Sequence, residues 1–161
     1  MNELLLIRHA QSLANAGYSR EADCPLTEAG MHQARRLASR LQNFDLSGFI
    51  ALTSPYRRAA QTAAQITLSA GLRFDPEPAV REWGESTTID GIHYPAESGD
   101  ELIERGRQFL ADFPGRKVIA VSHAAPIAVL TQLAWGETPI VEGNFWASVP
   151  NCCIRWLRIT R

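Results

Sequence analysis

Short apolar runs alternate along the chain with longer segments in which apolar residues recur at helical spacing. The short, mainly apolar runs indicate buried strands at residues 4–7, 49–53 and 117–122. The longer segments, amphipathic or mostly apolar, indicate helices over about 28–42, 55–70, 100–113 and 125–135. Because strands and helices alternate, the pattern predicts an α/β layer fold with a mainly parallel sheet.

Capping and turn residues define several boundaries between these elements. Thr27 suits the N-cap of the first helix, and Gly71 is well placed to end the second. A short strand is predicted near 72–75, and the Pro- and Gly-rich stretch after it, up to Gly99, is predicted to be irregular. The final segment predicts an antiparallel pair of strands at 145–149 and 152–159, joined at Pro150-Asn151.

Length, composition and charge limit the classes of function. The 161 residues suit a single domain over 1–161, and 45% hydrophobic with 20% charged residues is ordinary for a globular protein. The net charge of -1 gives no overall electrostatic attraction for nucleic acid or for an anionic membrane. Affinity for a charged ligand must therefore come from a local cluster.

The N-terminal segment and the cysteines predict the compartment. The apolar run at 4–7 is short and has no basic flank before it, unlike a signal peptide, and no stretch approaches the roughly 20 apolar residues that span a bilayer. Three cysteines, with Cys152 and Cys153 adjacent, provide neither a disulfide framework nor a zinc-binding spacing. We therefore expect a cytoplasmic protein with no membrane or nucleic-acid partner, whose oligomeric state the sequence leaves open.

Reactive side chains follow the predicted strands at their carboxyl ends. In open α/β sheets, ligands bind outside these ends, so the side chains are predicted to meet on one rim. Each one alone has an ordinary structural explanation, and it is their coincidence at strand ends that predicts a site. The residues are Arg8, His9, Arg57 or Arg58, Glu82 and His123.

The combined chemistry of this cluster suits phosphoryl transfer. A phosphate monoester carries nearly two negative charges, and arginine offers a rigid charged fork to its oxygens. A neutral imidazole can attack phosphorus and hold the phosphoryl group, while a second histidine donates to its oxygens. A carboxylic acid can protonate the leaving alkoxide. Such a site requires no metal or cofactor.

Several segments resemble motifs of the histidine phosphatase (phosphoglycerate mutase-like) superfamily, in that family's order. The most specific is Ser54 to Ala63, which is similar to S-P-x-x-R-A-x-Q-T-A. Arg8 to Asn15 resembles R-H-G-x-S-x-x-N, and Leu26 to Gly30 resembles L-T-x-x-G. Arg81-Glu82 matches the end of L-R-E, with Val80 where leucine is common. Ala96 to Ser98 resembles G-E-S, Ser122-His123 the second-histidine motif and Pro150 to Cys152 P-N-C.

The resemblance implies a three-layer α/β/α sandwich, with about six strands in a mainly parallel sheet and one antiparallel strand near the C-terminus. It implies that His9 is the phosphorylated nucleophile and that Glu82 is the general acid and then the base. It also implies that His123 stabilises the transferring group, and it favours Arg58 over Arg57 as the second phosphate-binding arginine. The implied substrate contacts are Arg8, Asn15, Arg58, His123 and Ala124, with no metal or cofactor.

The chain departs from the family pattern in two respects. Ala10, Ala124 and Ala125 replace usual glycines, which predicts a tighter pocket, since glycine lets backbone approach a ligand closely. The lid-like segment, about 83–99, is short. Mutases of the superfamily close over their substrate to exclude water, so a short lid favours hydrolysis over phosphoryl return.

The sequence therefore predicts a small phosphatase and leaves its substrate open. A small sugar or nucleotide phosphate and a phosphorylated protein side chain both fit, although Glu82 counts against a phosphohistidine-protein phosphatase. The motifs are also compatible with mutase-type phosphoryl transfer and with a non-catalytic phosphate-binding regulatory module. Trp83, His93 and Tyr94 either line the substrate site or only pack the loop.

Overall fold

The computed structural model describes residues 3–159, and the ends of the domain expected over 1–161 lie outside them. The strands are β1 (Glu3–Arg8), β2 (Phe49–Thr53), β3 (Asp75–Pro76), β4 (Thr87–Ile89), β5 (Ile92–Tyr94), β6 (Lys117–Ser122) and β7 (Ile154–Arg158). The helices are α1 (Glu28–Leu41), α2 (Arg57–Ala70), α3 (Gly99–Asp112) and α4 (Ala124–Ala134), with a 3-10 turn at Pro78–Val80.

The main sheet of the described residues has the strand order β3-β2-β6-β1-β7. All neighbours pair in parallel except β7, which runs antiparallel to β1. Successive side chains of a strand face opposite sides of the sheet. Leu4 and Leu6 therefore pack on the side of α3 and α4, while Leu5 and Ile7 pack on the side of α1 and α2. The three-layer α/β/α fold is confirmed, with five strands in this sheet where about six were expected.

Local capping follows the sequence pattern. The hydroxyl of Thr27 accepts a hydrogen bond from the backbone N–H of Gly30 at 2.9 Å, which caps α1. Gly71 ends α2 in the left-handed conformation, with φ of 72°. Between residues 3 and 159, the helices are too short or too polar to cross a membrane.

The predicted C-terminal strand pair is wrong. Residues 145–148 form a turn and Val149 is irregular, and β7 pairs with the edge of β1 instead, with Trp156 opposite Leu5. The aromatic side chains of 145–149 pack against the α3–α4 layer, and Cys152 adopts a positive φ of 56°, which turns the chain towards β1.

Part of the stretch predicted to be irregular is also ordered. Asp90 and Gly91, with φ of 50° and 80°, form a two-residue turn between β4 and β5. An Asp-Gly pair is a strong hairpin signal because both turn positions require a positive φ. The predicted strand near 72–75 is reduced to Asp75–Pro76 beside β2.

Candidate active site

The carboxyl ends of adjacent strands bring the predicted histidines together. His9 follows β1 and His123 follows β6, and their ring centroids lie 5.0 Å apart. Glu82 approaches from the segment after the 3-10 turn, so that ligand atoms of His9, Glu82 and His123 all lie within 4.8 Å of one another. The convergence predicted from the strand ends is therefore present.

The hydrogen bonds of His9 define its tautomer. Its Nδ1 lies 2.7 Å from the carbonyl oxygen of Ala10, which can only accept, so Nδ1 carries the proton. The side chain is buried, and burial together with the charges of His123 and Arg58 holds the pKa of His9 well below its usual value. The ring is therefore neutral at neutral pH, and its Nε2 is unprotonated and carries the lone pair.

Arg58 lies against that lone pair. Its Nε donates to Nε2 of His9 at 3.2 Å, and its Nη2 donates to Oε2 of Glu82 at 3.4 Å. The guanidinium is buried, donates to the carbonyl of Ala22 and lies 4.6 Å from the ring centroid of Tyr56. These contacts hold the positive charge at the centre of the site.

Arg57, the neighbouring candidate, lies outside this arrangement. Its residue is exposed, and its backbone N–H donates to the carboxylate of Asp23 at 2.6 Å. Adjacent helical positions point about 100° apart, so only one of the two arginines can face His9. The structure places Arg58 there, as the motif alignment favoured.

His123 is fully buried between Ser54 and Glu82. Its Nε2 lies 2.7 Å from the hydroxyl of Ser54, and its Nδ1 lies 3.3 Å from Oε2 of Glu82. Burial is the main cause that lowers the pKa of His123 to about 4, so the ring is neutral at neutral pH. Within residues 3–159, Nδ1 has no well-aligned hydrogen-bond partner, so it is available to a ligand oxygen.

Glu82 is ionised in this state of the site. Its Oε1 accepts the backbone N–H of Trp83 at 3.1 Å, while Oε2 faces Arg58 and His123. Burial alone raises the pKa of Glu82, but His123, Arg58 and the Trp83 N–H outweigh it and lower the pKa to about 2. The carboxylate remains 29% exposed, so a ligand can reach it.

A pocket of about 370 Å³ opens beside this cluster. Its walls include Arg8, Asn15 and Ala124, three of the positions expected to contact substrate, together with Glu82. Arg8 donates to the carbonyl of Val149, and within the described chain its buried Nε has no hydrogen-bond partner. These three predicted binding residues therefore share one concave surface with Glu82, whereas Arg58 and His123 do not line it.

The positive charge of Arg58 favours an anion over a metal ion at this cluster. The three close ligand atoms of His9, Glu82 and His123 have a spacing that a metal ion could use. However, the Arg58 guanidinium donates to both His9 and Glu82, which places a permanent positive charge against the same atoms. This charge repels a cation and attracts phosphate oxygens.

Residues 4–91 match the family model of the histidine phosphatase superfamily, branch 1. This chain belongs to that superfamily. A relative described as a probable phosphoglycerate mutase GpmB of Yersinia pestis (strain Pestoides F) is 28% identical over 165 residues, covering 84% of this chain and 76% of that protein.

Solved structures show the same fold. A mycobacterial glucosyl-3-phosphoglycerate phosphatase matches with a TM-score of 0.72 and 23% identity, covering 96% of this chain and 89% of that one. An Entamoeba histolytica phosphoserine phosphatase in complex with 3-phosphoglyceric acid matches with a TM-score of 0.71 and 23% identity, covering 97% and 90%. At these identities the likeness establishes the architecture of a histidine phosphatase.

The alanines that replace glycines of the histidine phosphatase motifs sit without backbone strain. Within residues 3–159, the non-glycine residues with a positive φ are Asp90 and Cys152, so Ala10, Ala124 and Ala125 adopt ordinary conformations. Their methyl groups belong to apolar clusters of the core. These positions therefore do not need the conformational freedom of glycine.

Two polar residues near His9 were missed by sequence reasoning, although both lie in the family motifs. Asn151 donates from Nδ2 to the carbonyl of His9 at 2.9 Å and to Oδ1 of Asn15 at 3.1 Å. Thr62 accepts the backbone N–H of Ala10 at 3.1 Å and donates to the carbonyl of Arg58 at 2.8 Å. Both orient the backbone that carries the site.

A buried ion pair between Glu97 and Arg105 orients the backbone segment that leads to Glu82. Arg105 contacts both oxygens of Glu97, at 2.7 and 2.6 Å, and donates to the carbonyls of Ala79 at 2.6 Å and Arg81 at 3.2 Å. Arg81 adds a contact to Glu97 at 3.2 Å. The three charged side chains are each at most 14% exposed. The G-E-S motif contains Glu97, but Arg105 has no motif to identify it.

Proposed function

We propose that this chain is a metal-independent phosphomonoesterase that hydrolyses a phosphate monoester through a phosphohistidine intermediate at His9. The observation that supports it most is the state of that ring: neutral, buried, with Nδ1 hydrogen-bonded to Ala10 and Nε2 unprotonated beside Arg58. A histidine in this state is a nucleophile before substrate arrives.

In the first step, Nε2 of His9 attacks phosphorus and the bond from phosphorus to the ester oxygen breaks. Arg8 and Arg58 hold the phosphoryl oxygens, and Nδ1–H of His123 donates to one of them as negative charge develops. The contact from Arg58 to His9 then gives way to a contact with phosphate, which releases the lone pair. The products are an N-phosphorylated His9 and an alkoxide.

Glu82 supplies the proton that turns this alkoxide into an alcohol. Its low pKa in the unliganded site depends on His123 and Arg58. A bound phosphate brings close to two negative charges beside the carboxylate and neutralises part of that positive field, which raises the pKa of Glu82 and favours its protonated form. The same carboxylate then accepts a proton from water, which attacks phosphorus, breaks the N–P bond and releases orthophosphate.

Phosphoryl return to the substrate is the second candidate, because the Yersinia relative is described as a probable phosphoglycerate mutase. A mutase must keep water from the phosphohistidine. Incubation with 3-phosphoglycerate tests for the second reaction, since a mutase yields 2-phosphoglycerate, whereas orthophosphate release from another monoester identifies a phosphatase. We expect orthophosphate release from a monoester and no interconversion of phosphoglycerates.

Hydrolysis of p-nitrophenyl phosphate in EDTA tests the proposal, with His9→Ala as the variant and His32→Ala as the control. His32 is exposed on α1, a helix that carries none of the predicted site residues. We expect His32→Ala to retain the wild-type rate and His9→Ala to lose at least about 10³-fold, since covalent catalysis is abolished. Turnover that persists without His9, or that EDTA removes and added metal restores, contradicts the mechanism. Absent turnover with retained orthophosphate binding would instead favour a binding module.

A further inference from the structure

The pocket beside Glu82 is apolar on the side where a leaving group must lie. Glu82 protonates the ester oxygen in the proposed mechanism, and the backbone N–H of Trp83 binds that same carboxylate. The alcohol part of the substrate therefore leaves next to Trp83. Around it the pocket wall consists of Gly84, Ala125 and Trp146.

Three aromatic rings form and support this wall. The ring of Trp83 lies 5.9 Å from those of both Phe145 and Trp146, and the latter two lie 4.8 Å apart, all edge to face. Behind them, Leu102 and Val129 of α3 and α4 complete an apolar cluster. Because the rings pack on each other and on two helices, they present a rigid surface.

Positive charge is missing from this wall among the residues described. The charged residues that line the pocket within 3–159 are Arg8 and Glu82, and in the proposed mechanism Arg8 binds the phosphoryl oxygens. The nearby cations are committed elsewhere, since Arg81 and Arg105 both pair with the buried carboxylate of Glu97. A carboxylate on the leaving group would lose hydration against these apolar rings, and both Arg81 and Arg105 are already paired with Glu97.

We infer that this site selects phosphate monoesters of uncharged alcohols with a flat or apolar body, and discriminates against alcohols that carry a carboxylate. The inference rests on the proposed phosphatase function and adds the class of its leaving group. It separates this chain from the Entamoeba histolytica phosphatase, whose structure holds 3-phosphoglyceric acid. An aromatic or otherwise planar alcohol can pack on the rings of Trp83 and Trp146.

Three benzyl esters of similar leaving-group acidity test this on the wild-type protein. They are benzyl phosphate, 4-carbamoylbenzyl phosphate and 4-carboxybenzyl phosphate, the last two matched in shape and different in charge. We expect kcat/KM for the carboxylate to be at least about 10-fold below that for the amide, because a carboxylate loses more hydration on entering an apolar wall. Equal values, or a preference for the carboxylate, overturn the inference.

Substitutions at Trp146 test whether the wall is the cause. Trp146→Ala is expected to lower kcat/KM for benzyl phosphate about 10-fold while changing that for ethyl phosphate by less than about 3-fold, since ethyl is too small to use the rings. Trp146→Phe keeps an aromatic ring and should retain most of the rate. Trp146→Arg should raise the 4-carboxybenzyl rate relative to the amide. A uniform loss on all esters in Trp146→Ala would contradict a leaving-group contact.

If the phosphatase proposal itself is wrong, the kinetic results differ from those that contradict only the inference. In that case no ester, including p-nitrophenyl phosphate, is hydrolysed in a His9-dependent manner, and the inference falls together with the function. If esters are hydrolysed but the carboxylate is not disfavoured, the inference alone falls.

Discussion

Nε of Arg58 lies 3.2 Å from Nε2 of His9 and donates a hydrogen bond to it. The guanidinium thus occupies the direction from which phosphorus must approach the ring nitrogen. In the unliganded site, this bond satisfies a buried lone pair and helps to keep the imidazole neutral. A bound phosphate can replace the ring nitrogen as the acceptor, so the same arginine prepares the nucleophile and then binds the substrate.

Replacing Arg58 should damage activity far more than replacing Arg57. Arg58→Ala removes a buried phosphate-binding cation, and we expect kcat/KM for p-nitrophenyl phosphate to fall about 10²–10³-fold. Arg57→Ala alters an exposed residue that contacts Asp23 through its backbone N–H, so its rate should stay within about 2-fold. Steady-state kinetics of the two variants checks that Arg58 is the phosphate-binding arginine. Equal losses of kcat/KM in the two variants would contradict this.

Glu82→Gln should reveal the general acid through the leaving group. We expect kcat/KM to fall about 10²–10⁴-fold on ethyl phosphate, whose alkoxide needs a proton, and clearly less on p-nitrophenyl phosphate, whose phenolate leaves without one. Glu85→Gln is the control, because Glu85 is an exposed carboxylate three residues away. If Glu82→Gln slows both esters equally, Glu82 does not act as the acid in the first step.

Acid should destabilise the fold through its buried histidines. Burial lowers the pKa of His123 from its ordinary value of 6.5 to about 4, and it lowers that of His9 as well. Between pH 6.5 and about 4, the unfolded chain therefore binds more protons than the folded one. The contribution of these rings to the free energy of unfolding is complete above about pH 6.5 and decreases as the pH drops towards 4. For His123 alone the slope is about 1 kcal/mol per pH unit.

Urea unfolding at several pH values measures this slope. His123→Asn removes one titrating group and should flatten the dependence between about pH 6.5 and 4.5, whatever it does to the absolute stability. His32→Asn, at an exposed position, should leave the slope of the wild type. A slope that His123→Asn does not change would show that this ring does not titrate differently in the folded state.

Glu97→Gln should weaken both the fold and the general acid. It breaks a buried ion pair with Arg105, which typically costs about 3 kcal/mol or more, and it loosens the hold of Arg105 on the carbonyls of Ala79 and Arg81. We expect kcat on ethyl phosphate to fall more than kcat on p-nitrophenyl phosphate, the same signature as Glu82→Gln but smaller. Thermal denaturation and the two kinetic measurements check it.

Glu104→Gln is the matched control for this change. Glu104 lies on the same helix, α3, and pairs with Arg107, but both side chains are more than half exposed. Solvent screens such a pair, so stability should change by less than about 1 kcal/mol and activity not at all. Similar destabilisation in Glu97→Gln and Glu104→Gln would show that the buried Glu97–Arg105 pair stabilises the fold no more than the exposed pair does.

Local sequence patterns were enough to predict the helices, the central strands and the rim where the site forms. Apolar runs, the Thr27 cap and the Gly71 terminator act over a few residues, so their outcome depends little on the rest of the chain. The positions of His9 and His123 follow from the same reasoning, because each is the first residue after a parallel strand. The motif alignment added the preference for Arg58.

Tertiary structure alone decided which distant segments meet. The C-terminal strand pairs with β1 because that edge of the sheet is free, whereas the pattern of 152–159 is equally compatible with a local hairpin. The neutral state of His9, the hold of Arg105 on the segment before Glu82 and the aromatic wall of the pocket depend on burial and on contacts between residues far apart in the chain. Burial and long-range packing are properties of the folded chain, since they depend on which surfaces the other elements leave uncovered.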